Sequence, residues 1–120
     1  MNGNNILLDT NACLYILSDK NKAKILVENT IYISFVTELE ILSYPEISEY
    51  EQNIILKFIS KIEIIDIDQT IKKNTIELRK KYKLKLPDAI ISSTALAMNL
   101  VLITNDNKLH KITEIKSQSI

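Results

Sequence analysis

The chain reads as an α/β fold built on a parallel sheet. Two observations predict it. Short apolar, β-branched runs of strand length recur along the sequence, and the segments between them carry apolar residues at helical spacing. Strands separated by helices imply βα units in a sheet covered on both faces. Length supplies the scale: 120 residues make one domain, 1–120, with a single sizeable core.

The elements follow in order. Residues 6–8 form the first strand, and 11–17 and 21–28 read as helices. The run "IYISFV" at 31–36 is the second strand, followed by a short helix at 37–44 that Pro45 ends. Across 48–61, Ile54, Ile55, Phe58 and Ile59 fall on one helical face. Residues 62–67 are the third strand. Asp68 then caps a helix reaching about Tyr82, with Ile71, Ile76 and Leu78 for its buried side. Pro87 suits the first turn of a helix running to Met98. Residues 100–104 are the fourth strand and 112–115 the fifth. No repeat, linker or low-complexity segment interrupts them.

Composition excludes several function classes. Fifteen basic and fifteen acidic residues cancel, so only local charge can point to a partner. A single cysteine, Cys13, rules out an internal disulfide and suits a reducing compartment. There is no basic-then-apolar leader and no run of membrane-spanning length, so a soluble, cytoplasmic protein without a membrane partner is expected. The one glycine, Gly3, leaves no phosphate-cradling loop of the Walker or Rossmann kind.

The first strand stops at a carboxylate, Asp9. In open parallel sheets, ligands sit beyond the carboxyl ends of the strands. "TND" (Thr104, Asn105 and Asp106) follows the fourth strand. Glu40 lies in the helix after the second strand, and Asp88 in the first turn of the helix before the fourth. Four elements can therefore bring Asp9, Glu40, Asp88 and Asp106 to one sheet edge. Such a set, with no accompanying Cys or His pair, consists of hard oxygen ligands that suit Mg²⁺ or Mn²⁺ rather than zinc. Ions of this kind can activate water and neutralise charge on a phosphodiester.

Plainer roles compete for each residue. Asp9 could be a turn or cap residue, Asp88 a charge favouring the helix dipole, and Asp106 part of a turn in "TNDN". "TELE" at 37–40 is also a capping box, in which Glu40 would reach back to a backbone N–H. Glu38, two residues earlier on the same helix, would face another side. Asp66 and Asp68 read as surface and N-cap residues, Cys13 as core filler, and His110 as an exposed side chain. Lys72, Lys73, Arg79, Lys80, Lys81, Lys83 and Lys85 form a basic run that leads into Pro87 and Asp88. Such a run is ordinarily a solvated helix face.

Three stretches together resemble a known family: "LLDTNACLYIL" at 7–17, "ISFVTELEIL" at 33–42 and "LPDAIISSTALAMNLVLITND" at 86–106. In order and spacing they are similar to a PIN domain, and most closely to the VapC-like toxins of type II toxin–antitoxin modules. The resemblance implies a parallel five-stranded sheet of order 3-2-1-4-5 flanked by helices. It implies an endoribonuclease using Mg²⁺ or Mn²⁺ held by Asp9, Glu40, Asp88 and Asp106, leaving 5′-phosphate and 3′-hydroxyl ends. Asn11 and Thr104 fall at positions that support such a site. A VapB-like antitoxin and a homodimer are implied as partners, and RNA as substrate, whose phosphates the basic run could hold. Many members carry a further Asp where this chain has Leu109. Two other readings are a receiver-like phospho-acceptor domain and an inactive PIN-fold binding module. A receiver site wants paired acids after the first strand, where Thr10 and Asn11 stand, and a later Lys-Pro turn that this chain lacks. The presence of all four acids disfavours the inactive module.

Overall fold

A computed structural model describes residues 3–120. Its five strands are β1 (Asn5–Leu8), β2 (Thr30–Ser34), β3 (Glu63–Ile65), β4 (Val101–Ile103) and β5 (Lys116–Gln118). They form one sheet of order β3-β2-β1-β4-β5, parallel at every pairing. This is the order that the family resemblance implies. β1 is central: Ile6 pairs with Ile31 on one side and Val101 on the other.

Strand alternation sorts the apolar residues into two cores, one on each face. Leu7 and Leu102 point toward α5 (Gln69–Tyr82) and α6 (Leu86–Met98), where they join Leu78, Ala89 and Ile91. Ile6, Leu8, Ile33 and Ile103 point the other way, toward α1 (Thr10–Ser18) and α4 (Glu49–Ile59), joining Cys13, Ile16, Ile55 and Phe58. Each Leu, Ile or Phe side chain fully buried in this way is worth about 1.5–3 kcal/mol over leaving it in water. The centre of α6 is buried on every side, from Ala89 to Ala95, which explains its nearly uninterrupted run of small and apolar residues. Gly3 lies against the chain near the end of α2 (Lys24–Glu28): a Cβ there would stand 1.9 Å from the Glu28 carbonyl oxygen.

Several boundaries differ from the sequence expectation, each for a local reason. The segment expected as one helix at 21–28 divides into a 3₁₀ turn, Lys20–Lys22, and the short α2. Ser34 ends β2 early and caps α3 (Phe35–Leu42), its hydroxyl accepting the Val36 N–H at 3.1 Å. The third and fourth strands shrink to three residues each. Ile112 is core rather than strand. The fifth strand lies instead at Lys116–Gln118, where Val101 pairs with Lys116. Asp106 caps an unanticipated helical turn, α7 (Asn107–His110). Ile76 is 58% exposed, so Ile71, Thr75 and Leu78 supply the buried side of α5. No helix among the described residues is long and apolar enough to cross a membrane.

Candidate active site

All four expected acids line one cavity of about 340 Å³ beyond the carboxyl ends of β1 and β4. Asp9 follows β1 directly and is 7% exposed. It serves as N-cap of α1, one carboxylate oxygen accepting the Ala12 N–H at 2.8 Å. Asp9 therefore both caps α1 and lines the cavity. Burial raises the Asp9 carboxyl above its ordinary value, and the charges of Asp106 and Glu40 push the same way. The Thr104 hydroxyl and the Ala12 N–H oppose this. Asp88, in the first turn of α6 after Pro87, is raised chiefly by burial and then by the charges of Asp106 and Asp9. Lys85, the N-cap residue of α6, works against that shift.

Glu40 comes from α3. The capping box that "TELE" offered as the competing role does not form, because Ser34 is the N-cap and Thr37 lies one turn inside the helix, fully buried. Glu40 instead accepts a hydrogen bond from the Thr10 hydroxyl at 2.5 Å, and the Thr37 hydroxyl lies 3.1 Å from the same Thr10 oxygen. This network ties α3 to the start of α1. Glu38 is not part of the cavity wall. Asp106 is exposed, with one oxygen capping α7 through the Lys108 N–H at 2.9 Å. Its own N–H donates to the Thr104 hydroxyl at 3.0 Å. Thr104, fully buried, thus acts on both Asp9 and Asp106, while Asn11 lies in the cavity wall.

Thr10 and Thr37 escaped the sequence reading. Their signal was present in the quoted motifs, two hydroxyl residues beside the expected acids, but the helix register that pairs them requires the Ser34 cap. Other residues stand apart from the cavity. Asp68 caps α5 through the Ile71 N–H, and Asp66 accepts the Ile67 N–H. Cys13 is buried, and burial pushes its thiol up to about 12, which leaves it unreactive filler. His110 is half-buried rather than exposed, its ring nitrogens 2.7 Å from the Ser117 hydroxyl and 3.1 Å from that of Ser119.

The polar side chains lining the cavity are carboxylates, hydroxyls and the Asn11 amide, without thiol or imidazole. Such a set suits hard divalent cations. Among the described residues, no three His, Cys, Asp or Glu side chains are already drawn together as a closed ligand set. A small hydrated ion does not require one, since it keeps several waters and takes one or two direct carboxylates. The upward shifts of Asp9 and Asp88 come chiefly from burial, and the charges of the neighbouring acids add to them.

The family model of the PIN domain matches residues 6–115. The chain belongs to the PIN domain family. Solved structures agree. VapBC2 from Rickettsia felis, bound to a promoter DNA fragment, is 27% identical with a TM-score of 0.82, covering 97% of this chain and 98% of that one. A toxin-antitoxin complex from Klebsiella pneumoniae is 31% identical with a TM-score of 0.76, covering 96% and 95%. DNA-bound VapBC from Salmonella typhimurium shares the fold at 22% identity, with a TM-score of 0.84 over 99% and 98%. No curated protein sequence matches the chain. Membership in the PIN family replaces the receiver-like reading. Asp66 and Asp68, after the third strand, do not line this PIN domain's cavity.

Proposed function

We propose that this PIN domain is a metal-dependent endoribonuclease and the toxin of a type II toxin–antitoxin pair. The observation that carries the nuclease reading is the convergence of Asp9, Glu40, Asp88 and Asp106, from four elements, on one cavity in which Asp9 and Asp88 are raised by burial and by their acidic neighbours. These residues would hold Mg²⁺ or Mn²⁺. The bound ion would supply water activation and charge neutralisation at an RNA phosphodiester. The chain's own contribution is placement. The α1 cap fixes Asp9, Thr10 orients Glu40, and Thr104 holds the Asp106 backbone. Asn11 stands at the cavity wall where it can orient substrate or water.

The toxin reading is supported by likeness to the VapBC and toxin-antitoxin structures, and it carries with it a VapB-like antitoxin and a homodimer as partners. The decisive experiment incubates the protein with single-stranded RNA in Mg²⁺, Mn²⁺ or EDTA and maps the ends. Cleavage should require metal, leave 5′-phosphate and 3′-hydroxyl termini, and disappear in Asp88→Asn. Metal-independent cleavage, or an Asp88→Asn protein of undiminished rate, would overturn the assignment.

A further inference from the structure

Tyr44 forms part of the wall of the acidic cavity, beside Ser43 and Pro45 in the connection from α3 to α4, and it is the one aromatic residue in that wall. It remains 46% exposed. Its backbone is restrained on both sides. Pro45 confines the preceding residue to extended conformations, and the Tyr44 carbonyl accepts the Ile47 N–H at 3.3 Å. What sets Tyr44 apart from the other exposed tyrosines, Tyr15 and Tyr50, is its place in the wall of the acidic cavity on a restrained turn.

The cavity poses a physical problem for its substrate. Four carboxylates line it, and one divalent cation would offset only part of their charge, so the cavity itself offers a polyanion little attraction. Contacts that do not depend on phosphate charge would then add to any that the basic run at 72–85 supplies. Base stacking on an aromatic face is such a contact, tolerant of sequence because every base has a π-face. We infer that Tyr44 is a substrate-binding residue, a stacking platform that holds one base of a single-stranded RNA while the adjoining phosphodiester enters the cavity. This rests on the nuclease reading above and adds the mode by which substrate is held. A duplex would present its bases already stacked, so the platform selects unpaired RNA.

Stacking on one aromatic side chain is worth about 1–3 kcal/mol by alanine substitution, or roughly 5- to 150-fold in affinity. Tyr44→Ala should accordingly raise KM for a 12-nucleotide single-stranded RNA by about that factor with kcat little changed, and Tyr44→Phe should restore it. The chain contains no tryptophan, so Tyr44→Trp supplies a unique reporter. In the background of Asp88→Asn, which prevents cleavage, its emission in Mn²⁺ should be quenched by the RNA. An abasic ribose-phosphate 12-mer should leave it unquenched. Unchanged emission at RNA concentrations that saturate binding by anisotropy would overturn the platform, as would a wild-type KM in Tyr44→Ala. A Tyr44→Ala protein that cleaves like wild type but escapes inhibition by its antitoxin would assign the ring to a protein partner instead. Wild-type protein that cleaves RNA while the Tyr44 variants behave normally refutes this inference alone. Wild-type protein that neither binds nor cleaves RNA in Mn²⁺ refutes the nuclease reading with it.

Discussion

Replacing Asp9 by Asn separates the charge of the site from its architecture. The Asn carbonyl can still accept the Ala12 N–H, and Asn and Asp are near-equal N-caps, so α1 keeps its start. What changes is a carboxylate that burial and two neighbouring acids have pushed above its ordinary value of 3.8. A raised acid stabilises the fold only below its unfolded pKa; the penalty then grows as pH rises through the folded value. Each unit of upward displacement costs the metal-free protein about 1.4 kcal/mol at high pH. Metal-free Asp9→Asn should therefore melt at or above wild type near pH 8, with the difference closing toward pH 4. A bound divalent ion reverses the order. At a hundredfold excess over Kd it stabilises the folded wild type by about 2.7 kcal/mol. For 120 residues the unfolding entropy is about 0.25 kcal/mol/K, so Tm should rise by about 10 °C in Mn²⁺. The same addition should barely move Asp9→Asn. Thermal melts by circular dichroism, in EDTA and in Mn²⁺ at both pH values, test both halves. A wild-type Tm indifferent to saturating Mg²⁺ and Mn²⁺ would refute the cation site. An apo variant that is less stable by the same amount at both pH values would refute the charge argument.

Three further outcomes follow from the same geometry. Glu40→Gln should lose RNA cleavage while Glu38→Gln keeps it, because Gln preserves the Thr10 hydrogen bond but not the charge, and only Glu40 reaches the cavity; equal rates would remove Glu40 from the site. Thr10→Val should lower stability by about 1.5–3 kcal/mol in denaturant titration, since it breaks a hydrogen bond to a charged group, whereas Thr10→Ser should restore most of it. The Tyr82 hydroxyl and then Lys81 hold the Glu114 carboxyl down to about 2, so the tie between α5 and the segment before β5 contributes above about pH 4.5 and is lost as pH falls toward 2. Glu114→Gln should flatten acid unfolding across that interval, and an unchanged acid limb would contradict the tie.

Much of this was legible because parallel strands buried on both faces leave little ambiguity in sequence. Ile6, Leu7 and Leu8 could only be interior, and the carboxylate that ends them sits where the topology opens a cavity. Pro87 and Asp68 marked helix starts by chemistry that operates locally, and both held. What stayed hidden depended on tertiary register. "TELE" satisfies the capping-box pattern, yet Ser34, three residues upstream, captures the helix start and turns Thr37 inward. The run at 112–115 has strand composition, but Ile112 is drawn into the core and the polar Lys116–Gln118 pairs at the sheet edge. The Thr10 to Glu40 hydrogen bond joins residues 30 positions apart, a distance over which periodicity carries no information.

The position of β1 at the centre of the sheet has a consequence for how the protein comes into being. Its outer neighbour on one side, β2, arrives early in synthesis, but Leu8 must wait for Ile103, about 95 residues later. Closing that span before any contact repays it makes folding slow, as in other chains dominated by distant pairings. Asp9 and Asp106 reach one cavity only through this pairing of β1 with β4. A nascent chain halted before residue 100 therefore carries three of the four acids, Asp9, Glu40 and Asp88, yet no assembled cavity. The cavity is complete only once β4 has been synthesised and has docked, so whatever the four acids do together is confined by topology to the finished chain.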